Sequence, residues 1–220
     1  MTGLVFLHGW GYGPQTWDGL AKGFGEAPVV VLDAGYFSPR HLAIPENPDG
    51  WLGVGHSLGF ARLLQMDMPW RGLVGIGGFL RFCQKPGRDS GTPPAMLNSM
   101  LARLDAAPEE VLARFHKRCG HRLAPLPTPG AVGLALLRAD LEHLRDLDVN
   151  LDVAAPARPV PTLFIQAQDD RIVPPDLARE AQSLLTGSQL LELDTGGHAL
   201  PMTRPADCQR PIKEFLHDLG

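Results

Sequence analysis

The chain has 220 residues, 44% of them hydrophobic, and a formal net charge of −4. That length supports one domain around a single core, with room for a small excursion, and argues against two full domains. The negative balance provides no global basic field, so nucleic acid is not an expected partner, and an acidic partner would have to be met by a local basic patch.

Met1-Thr2-Gly3 runs straight into the apolar Leu4-Val5-Phe6-Leu7, without a basic leader, a long apolar stretch or a small-residue cleavage site, and no later run could span a bilayer. A cytoplasmic protein without membrane attachment, and a monomer, is expected. Cys83, Cys119 and Cys208 form an odd set with no Cys-x-x-Cys pair. Such a set suits a reducing compartment better than a disulfide framework.

Short apolar runs alternate with segments of helical period, the pattern of a parallel sheet covered by helices. Strands are predicted near Leu4-Leu7, Val29-Leu32, Leu52-Gly55, Leu73-Ile76, Thr162-Gln166 and Leu190-Leu193. Helices are predicted at about Pro14-Gly23, Leu58-Met68, Pro175-Leu185 and Pro205-Leu219. Between Asp33 and Trp51 the linker holds Pro39, Pro45 and Pro48, which limits the crossover there to a turn or two of helix. From Gly77 to about Pro159 the rhythm stops, and helices are predicted at roughly Pro93-Leu104, Pro108-Arg118 and Gly130-Leu144. This reads as an insertion after the fourth strand, placed where a lid would lie over the carboxyl ends of the strands. Residues 1–78 and 160–220 would then form the core and residues 79–159 the helical lid.

Gly55-His56-Ser57-Leu58-Gly59 follows the apolar run Trp51-Leu52-Gly53-Val54 and has the form of a nucleophile elbow. A serine lifted out at a sharp strand-to-helix turn requires glycines where helix and strand approach closely. Its hydroxyl needs a general base and an orienting acid, because the ionised fraction at neutral pH is negligible. Both are offered after later strands. Asp170 lies in Gln168-Asp169-Asp170-Arg171-Ile172-Val173-Pro174 and His198 in Gly196-Gly197-His198, so the three groups would converge at one sheet edge. Asp169 is the alternative acid, otherwise a turn residue, and His198 could be an ordinary loop histidine. His8 and His56 are poorer bases, and His56 reads as a structural residue beside the elbow. A developing oxyanion needs fixed donors, each worth on the order of 3 kcal/mol. The backbone N–H groups of Leu58 and of Trp10, in His8-Gly9-Trp10-Gly11, are the candidates, with the Trp10 indole walling an acyl pocket. Trp10 and Trp17 could equally be core aromatics.

His-Gly-Trp-Gly, Gly-His-Ser-Leu-Gly, Asp-x-x-Val-Pro and Gly-Gly-His, in this order along nearly the whole chain, resemble the α/β-hydrolase superfamily. Within it the sequence is most similar to the pimeloyl-acyl-carrier protein methyl ester carboxylesterases of biotin synthesis. The resemblance implies an α/β-hydrolase fold with a mostly parallel sheet of about six strands, helices on both faces and a helical lid. It implies a serine esterase with a Ser57, Asp170, His198 triad, no cofactor and no metal, acting on a methyl ester carried by acyl-carrier protein. Arg114-Phe115-His116-Lys117-Arg118-Cys119 is similar to the family's lid segment Arg-Phe-x-x-x-Gln. By that likeness Arg114 would meet the acidic carrier and Phe115 would line the acyl channel, while Cys119 replaces the glutamine. Independently, Arg114, Lys117, Arg118 and Arg122 lie in one acid-free stretch, and Arg81, Lys85 and Arg88 in another. Either could dock an acidic partner or be a solvated face. An amino-terminal hairpin common in relatives is missing ahead of the first strand, and Asp33-Ala34-Gly35-Tyr36-Phe37-Ser38 replaces the usual Asp-x-Pro-Gly-x-Gly-x-Ser. Two other readings stay open: a broad carboxylesterase or lactonase for small free esters, and a ligand-binding module on the same fold.

Overall fold

A computed structural model describes residues 1–120, 127–149 and 160–220. Six strands, β1 (Gly3–Leu7), β2 (Val29–Leu32), β3 (Trp51–His56), β4 (Gly72–Ile76), β5 (Thr162–Ala167) and β6 (Gln189–Leu193), form one sheet in the order β2-β1-β3-β4-β5-β6. Every neighbouring pair is parallel. The sheet is therefore wholly parallel, and its central strands are buried along their entire length because both faces are covered.

Period-two alternation sorts the strand side chains into two cores. Val5, Leu7 and Leu73 point to the face packed by Phe60 and Leu63 of α2 (Leu58–Gln65) and by Leu177 and Ala181 of α6 (Pro175–Leu184). Leu4, Phe6, Val54 and Ile76 point to the other, where Leu20 of the short α1 (Asp18–Ala21) meets Ile212 and Phe215 of α8 (Pro205–Asp218). The short α7 (Leu200–Thr203) lies between β6 and α8. Trp17 is one of the core aromatics, 4.9 Å from Phe6 between ring centroids.

The predicted Pro14-Gly23 helix is broken into a 3-10 turn at Pro14–Trp17, α1, and a second 3-10 turn at Lys22–Phe24. Gln209 of α8 explains part of this, since its side-chain amide donates to the Leu20 carbonyl at 3.0 Å, an oxygen a continuous helix would need for itself. Between β2 and β3 no helix forms; the chain instead makes an isolated antiparallel bridge from Asp33 to His41.

Between β4 and β5 lie α3 (Pro94–Leu104), α4 (Pro108–Arg118) and α5 (Ala131–Asp146). The chain ahead of α3 pairs with the chain after α5, Arg81 and Asp148 forming an isolated antiparallel backbone bridge and the Val149 N–H donating to the Leu80 carbonyl at 2.8 Å. Helix α5 is seated on the core. A Cβ at Gly133 would lie 2.0 Å from the Tyr36 carbonyl oxygen, so only glycine permits the approach. Asp140 of the same helix is bonded by both Tyr36 and Arg62.

Two cations of the second basic stretch are taken up by acids of the fold. Arg81 is 2% exposed, and its guanidinium is taken up by Glu180 of α6 and by Ser90 and the Cys83 carbonyl. Arg88 pairs with Glu180 and Asp148. Both partners lie far away in sequence, so an acid-free window was no guide to free charge.

Candidate active site

The strand order places the site. β1 connects outward to β2, while β3 lies on its other side, so the loops after β1 and β3 diverge at a topological switch point on the carboxyl edge. With Leu7 in register with Gly55, His8-Gly9-Trp10 emerges beside His56-Ser57.

Ser57 has φ 54° and ψ −122°, and it is the only non-glycine residue with positive φ among the described residues. Such backbone strain persists only where surroundings impose it. Here they do: a Cβ at Gly55 would lie 2.3 Å from the Phe60 backbone, and one at Gly59 would lie 2.1 Å from the Leu7 carbonyl oxygen. The two motif glycines let α2 press against β1 and β3, and the turn that results lifts Ser57.

His198 follows β6. Its Nδ1 donates to Asp170 Oδ2 at 2.8 Å, and both residues are buried. The remaining Asp170 oxygen accepts from the N–H groups of Ile172 at 2.8 Å and Val173 at 2.9 Å. With all donors aimed at it, the carboxylate acts as acceptor and sets the His198 tautomer with Nδ1 protonated, leaving Nε2 as the basic nitrogen. That Nε2 is buried without a partner, and no hydrogen bond joins it to the Ser57 hydroxyl among the described residues. Apo sites often tighten such a bond only when substrate is bound.

Three further contacts hold His198, none visible in the motifs. His56, beside Ser57, donates through Nε2 to the His198 carbonyl at 2.9 Å. The His198 N–H donates to the Cys119 carbonyl at the end of α4, 3.1 Å away. Asp169 accepts from the Gly197 N–H at 2.8 Å, so the neighbour of Asp170 ties down the histidine loop. Burial, aided by the charge of His198, drives the His56 pKa well below its ordinary value, so His56 works as a fixed neutral donor.

His8 has a similar part in the loop after β1. Its Nδ1 faces the Gly9 carbonyl at 3.0 Å and must donate, while Nε2 accepts the Ala34 N–H at 3.1 Å. The 3.4 Å approach of Asp33 to that same Nε2 is then an electrostatic contact without a shared proton. Holding the Gly9 carbonyl fixes the plane of the Gly9–Trp10 peptide, and with it the direction of the Trp10 N–H. Neither that amide nor the Leu58 amide at the start of α2 is taken up by a hydrogen bond among the described residues. The Trp10 indole is 2% exposed, donates to the Leu137 carbonyl of α5 at 2.8 Å, and stacks edge-on against Phe115 at 4.9 Å.

Ser57 and Trp10 open into a cavity of about 200 Å³ whose walls include Phe82, Leu97, Met100, Phe115, Leu141 and Ile172. Most of these belong to the insertion, and the lining is predominantly apolar. Arg103, Arg114, Arg118 and Arg171 also line it. Of the residues expected to dock a carrier, Arg114 and Arg118 thus reach the cavity, Lys117 is exposed on the same helix but does not line it, and Arg122 lies outside the described residues. Cys119, at the position where relatives carry glutamine, is buried, and burial pushes its thiol up to about 12, which keeps it protonated and unreactive.

The fold closely matches that of an esterase from Exiguobacterium antarcticum, with a TM-score of 0.79 at 15% identity over 99% of this chain and 92% of that one. The chain has the α/β-hydrolase fold. A family model described as TAP-like protein matches residues 146–219 of the chain. The chain is 27% identical over 249 residues to the pimeloyl-(acyl-carrier protein) methyl ester esterase of Aromatoleum aromaticum, covering 97% of each protein. It is 23% identical to the biotin biosynthesis bifunctional protein BioHC of Cellvibrio japonicus over 99% of its own length but 48% of that protein, so it spans about half of this relative. A 63-residue stretch, 29% of this chain and 23% of the other, is 41% identical to a protein of Klebsiella pneumoniae named as a carbamate hydrolase, RutD. Among the described residues no helix is long and apolar enough to cross a membrane.

Proposed function

We propose that the hydrolase is a serine carboxylesterase acting on the methyl ester of a pimeloyl chain borne by acyl-carrier protein. The observation that carries this reading is that Ser57 lines an apolar cavity together with four arginines. The full-length similarity to an esterase named for that substrate supports it. Residues 1–78 and 160–220 act as the catalytic core, and residues 79–159 as a lid that walls the acyl channel through Phe115.

In the mechanism, Ser57 attacks the ester carbonyl while His198 Nε2 takes the hydroxyl proton and Asp170 steadies the imidazolium. The Trp10 and Leu58 N–H groups stabilise the tetrahedral oxyanion. His198 returns its proton to the departing methoxide, methanol leaves, and water activated by the same histidine frees the acid and Ser57. The carrier docks on the exposed face of α4 through Arg114, Lys117 and Arg118, with Arg122 following. We place the reaction in the cytoplasm, on a monomeric enzyme, in line with three free, buried cysteines.

A second reading, a broad esterase for small free esters, has its own support. Glu110 pairs with Arg103 at 3.0 Å and with Arg114 at 3.6 Å, which reduces the charge left for a carrier. Rates on the carrier-bound methyl ester and on free nitrophenyl esters separate the two. Fast demethylation that is lost in Ser57→Ala and slowed by Arg114→Ala is the expected result. Turnover of short free esters alone would discard the carrier.

A further inference from the structure

Four arginines reach the Ser57 cavity, and they are not equivalent. Arg103 and Arg114 share Glu110. Arg118 of α4 and Arg171, in the loop that also carries Asp170, have no carboxylate partner among the described residues. Arg118 Nε donates to the Arg171 carbonyl at 3.2 Å, which holds the Arg118 side chain against the loop that carries Arg171. The other contact of the Arg118 guanidinium is the Met96 sulfur at 3.7 Å, a weak acceptor. The Arg171 guanidinium makes no hydrogen bond to the protein among the described residues. Two cations in the lining of one apolar cavity, neither paired with a carboxylate, favour an anion there, and their planar forks suit a carboxylate or phosphate.

We propose that Arg118 and Arg171 form an anion subsite for a charged group carried by the ester substrate itself, so that the enzyme selects esters whose remote end is anionic. This rests on the assignment of Ser57 as nucleophile and adds a substrate class to it. It differs from docking of a carrier because the group recognised sits on the molecule that fills the cavity. The apolar walls take the methylene chain, and the arginine pair stops its charged end at the mouth. The same chemistry could come from the free carboxylate of a dicarboxylic half-ester or from the phosphate of a phosphopantetheine arm.

The test compares kcat/KM for three methyl esters of equal acyl length: a neutral seven-carbon monoacid ester, the monomethyl ester of heptanedioic acid, and a phosphopantetheine thioester of that half-ester without carrier protein. Wild-type enzyme is expected to favour at least one anionic ester over the neutral one by about tenfold. Arg118→Gln and Arg171→Gln should each reduce that ratio several-fold, chiefly through KM, with partial rescue in Arg171→Lys. Labelling of Ser57 by a neutral phosphonate reports that each variant is folded. The preferred ester identifies the source of the anion, whereas an equal preference, or one that survives both glutamine variants, overturns the proposal. Binding of heptanedioate against 1-heptanol to Ser57→Ala protein tests the subsite without turnover. Tighter binding of the dianion supports it even if no ester is hydrolysed, which would count against the nucleophile alone, and equal binding overturns it.

Discussion

Asp169 and Asp170 are adjacent in the chain and hold different parts of the same loop. Asp170 orients the His198 ring, whereas Asp169 binds the Gly197 N–H. Asp170→Asn replaces an acceptor that enforces one tautomer with an amide that also accommodates the other, and it should lower kcat by about 10⁴-fold. Asp169→Ala should cost about tenfold or less, because three other contacts still hold the histidine. Steady-state kinetics on any turned-over ester checks both. His56 has a pH signature. Its folded pKa is depressed while the unfolded value stays near 6.5, so its contribution to stability is whole above about pH 6.5 and is lost progressively as pH falls below it. Urea midpoints should therefore drop between pH 7.5 and 5.5. The drop should be shallower in His56→Gln, which keeps a donor for the His198 carbonyl but cannot titrate.

At the scale of elements, the insertion is attached to the sheet through α5. Trp10 bonds the Leu137 carbonyl, Asp140 takes Tyr36 and Arg62, and Gly133 lies against the Tyr36 backbone. Gly133→Ala should push α5 outward and destabilise the protein by about 1–3 kcal/mol, a typical cost of overpacking. Because the same helix anchors Trp10, kcat/KM should fall as well. Unfolding midpoints and kinetics measured together test this coupling; stability lost with unchanged activity would show that α5 does not position the loop bearing Trp10. The strands were legible to within a residue or two, since a β3 predicted at Leu52-Gly55 is found at Trp51–His56 and α5 predicted from Gly130 begins at Ala131. The breaks in the Pro14–Phe24 segment were not, and one of its carbonyls, that of Leu20, accepts from Gln209, distant in sequence.

At the scale of the molecule, Arg81 joins the base of the insertion to α6 through Glu180. Burial works to raise the Glu180 carboxyl, but its bonds to Arg81 and Arg88 prevail and hold it below the usual range. Arg81→Ala leaves the half-buried Glu180 with one cation and removes donors from Ser90 and the Cys83 carbonyl. The expected loss is about 3 kcal/mol in urea unfolding, with the buried pair broken from one side. A loss within ~0.5 kcal/mol would mean that the arginine is packed there without fastening anything.

The chemistry of the candidate site was legible because each of its parts is a local pattern. The elbow glycines answer to a backbone clash within a few residues, and strand periodicity puts the loops bearing Trp10, Asp170 and His198 on one sheet edge. What tertiary structure alone decided is which charges are free and what holds the histidine. Arg81 and Arg118 look alike in a sequence window, yet one is buried against an acid about a hundred positions away and the other faces a cavity without one. A charge is neutralised by its neighbours in space, and one chain position carries no record of which distant residue folding will set beside it.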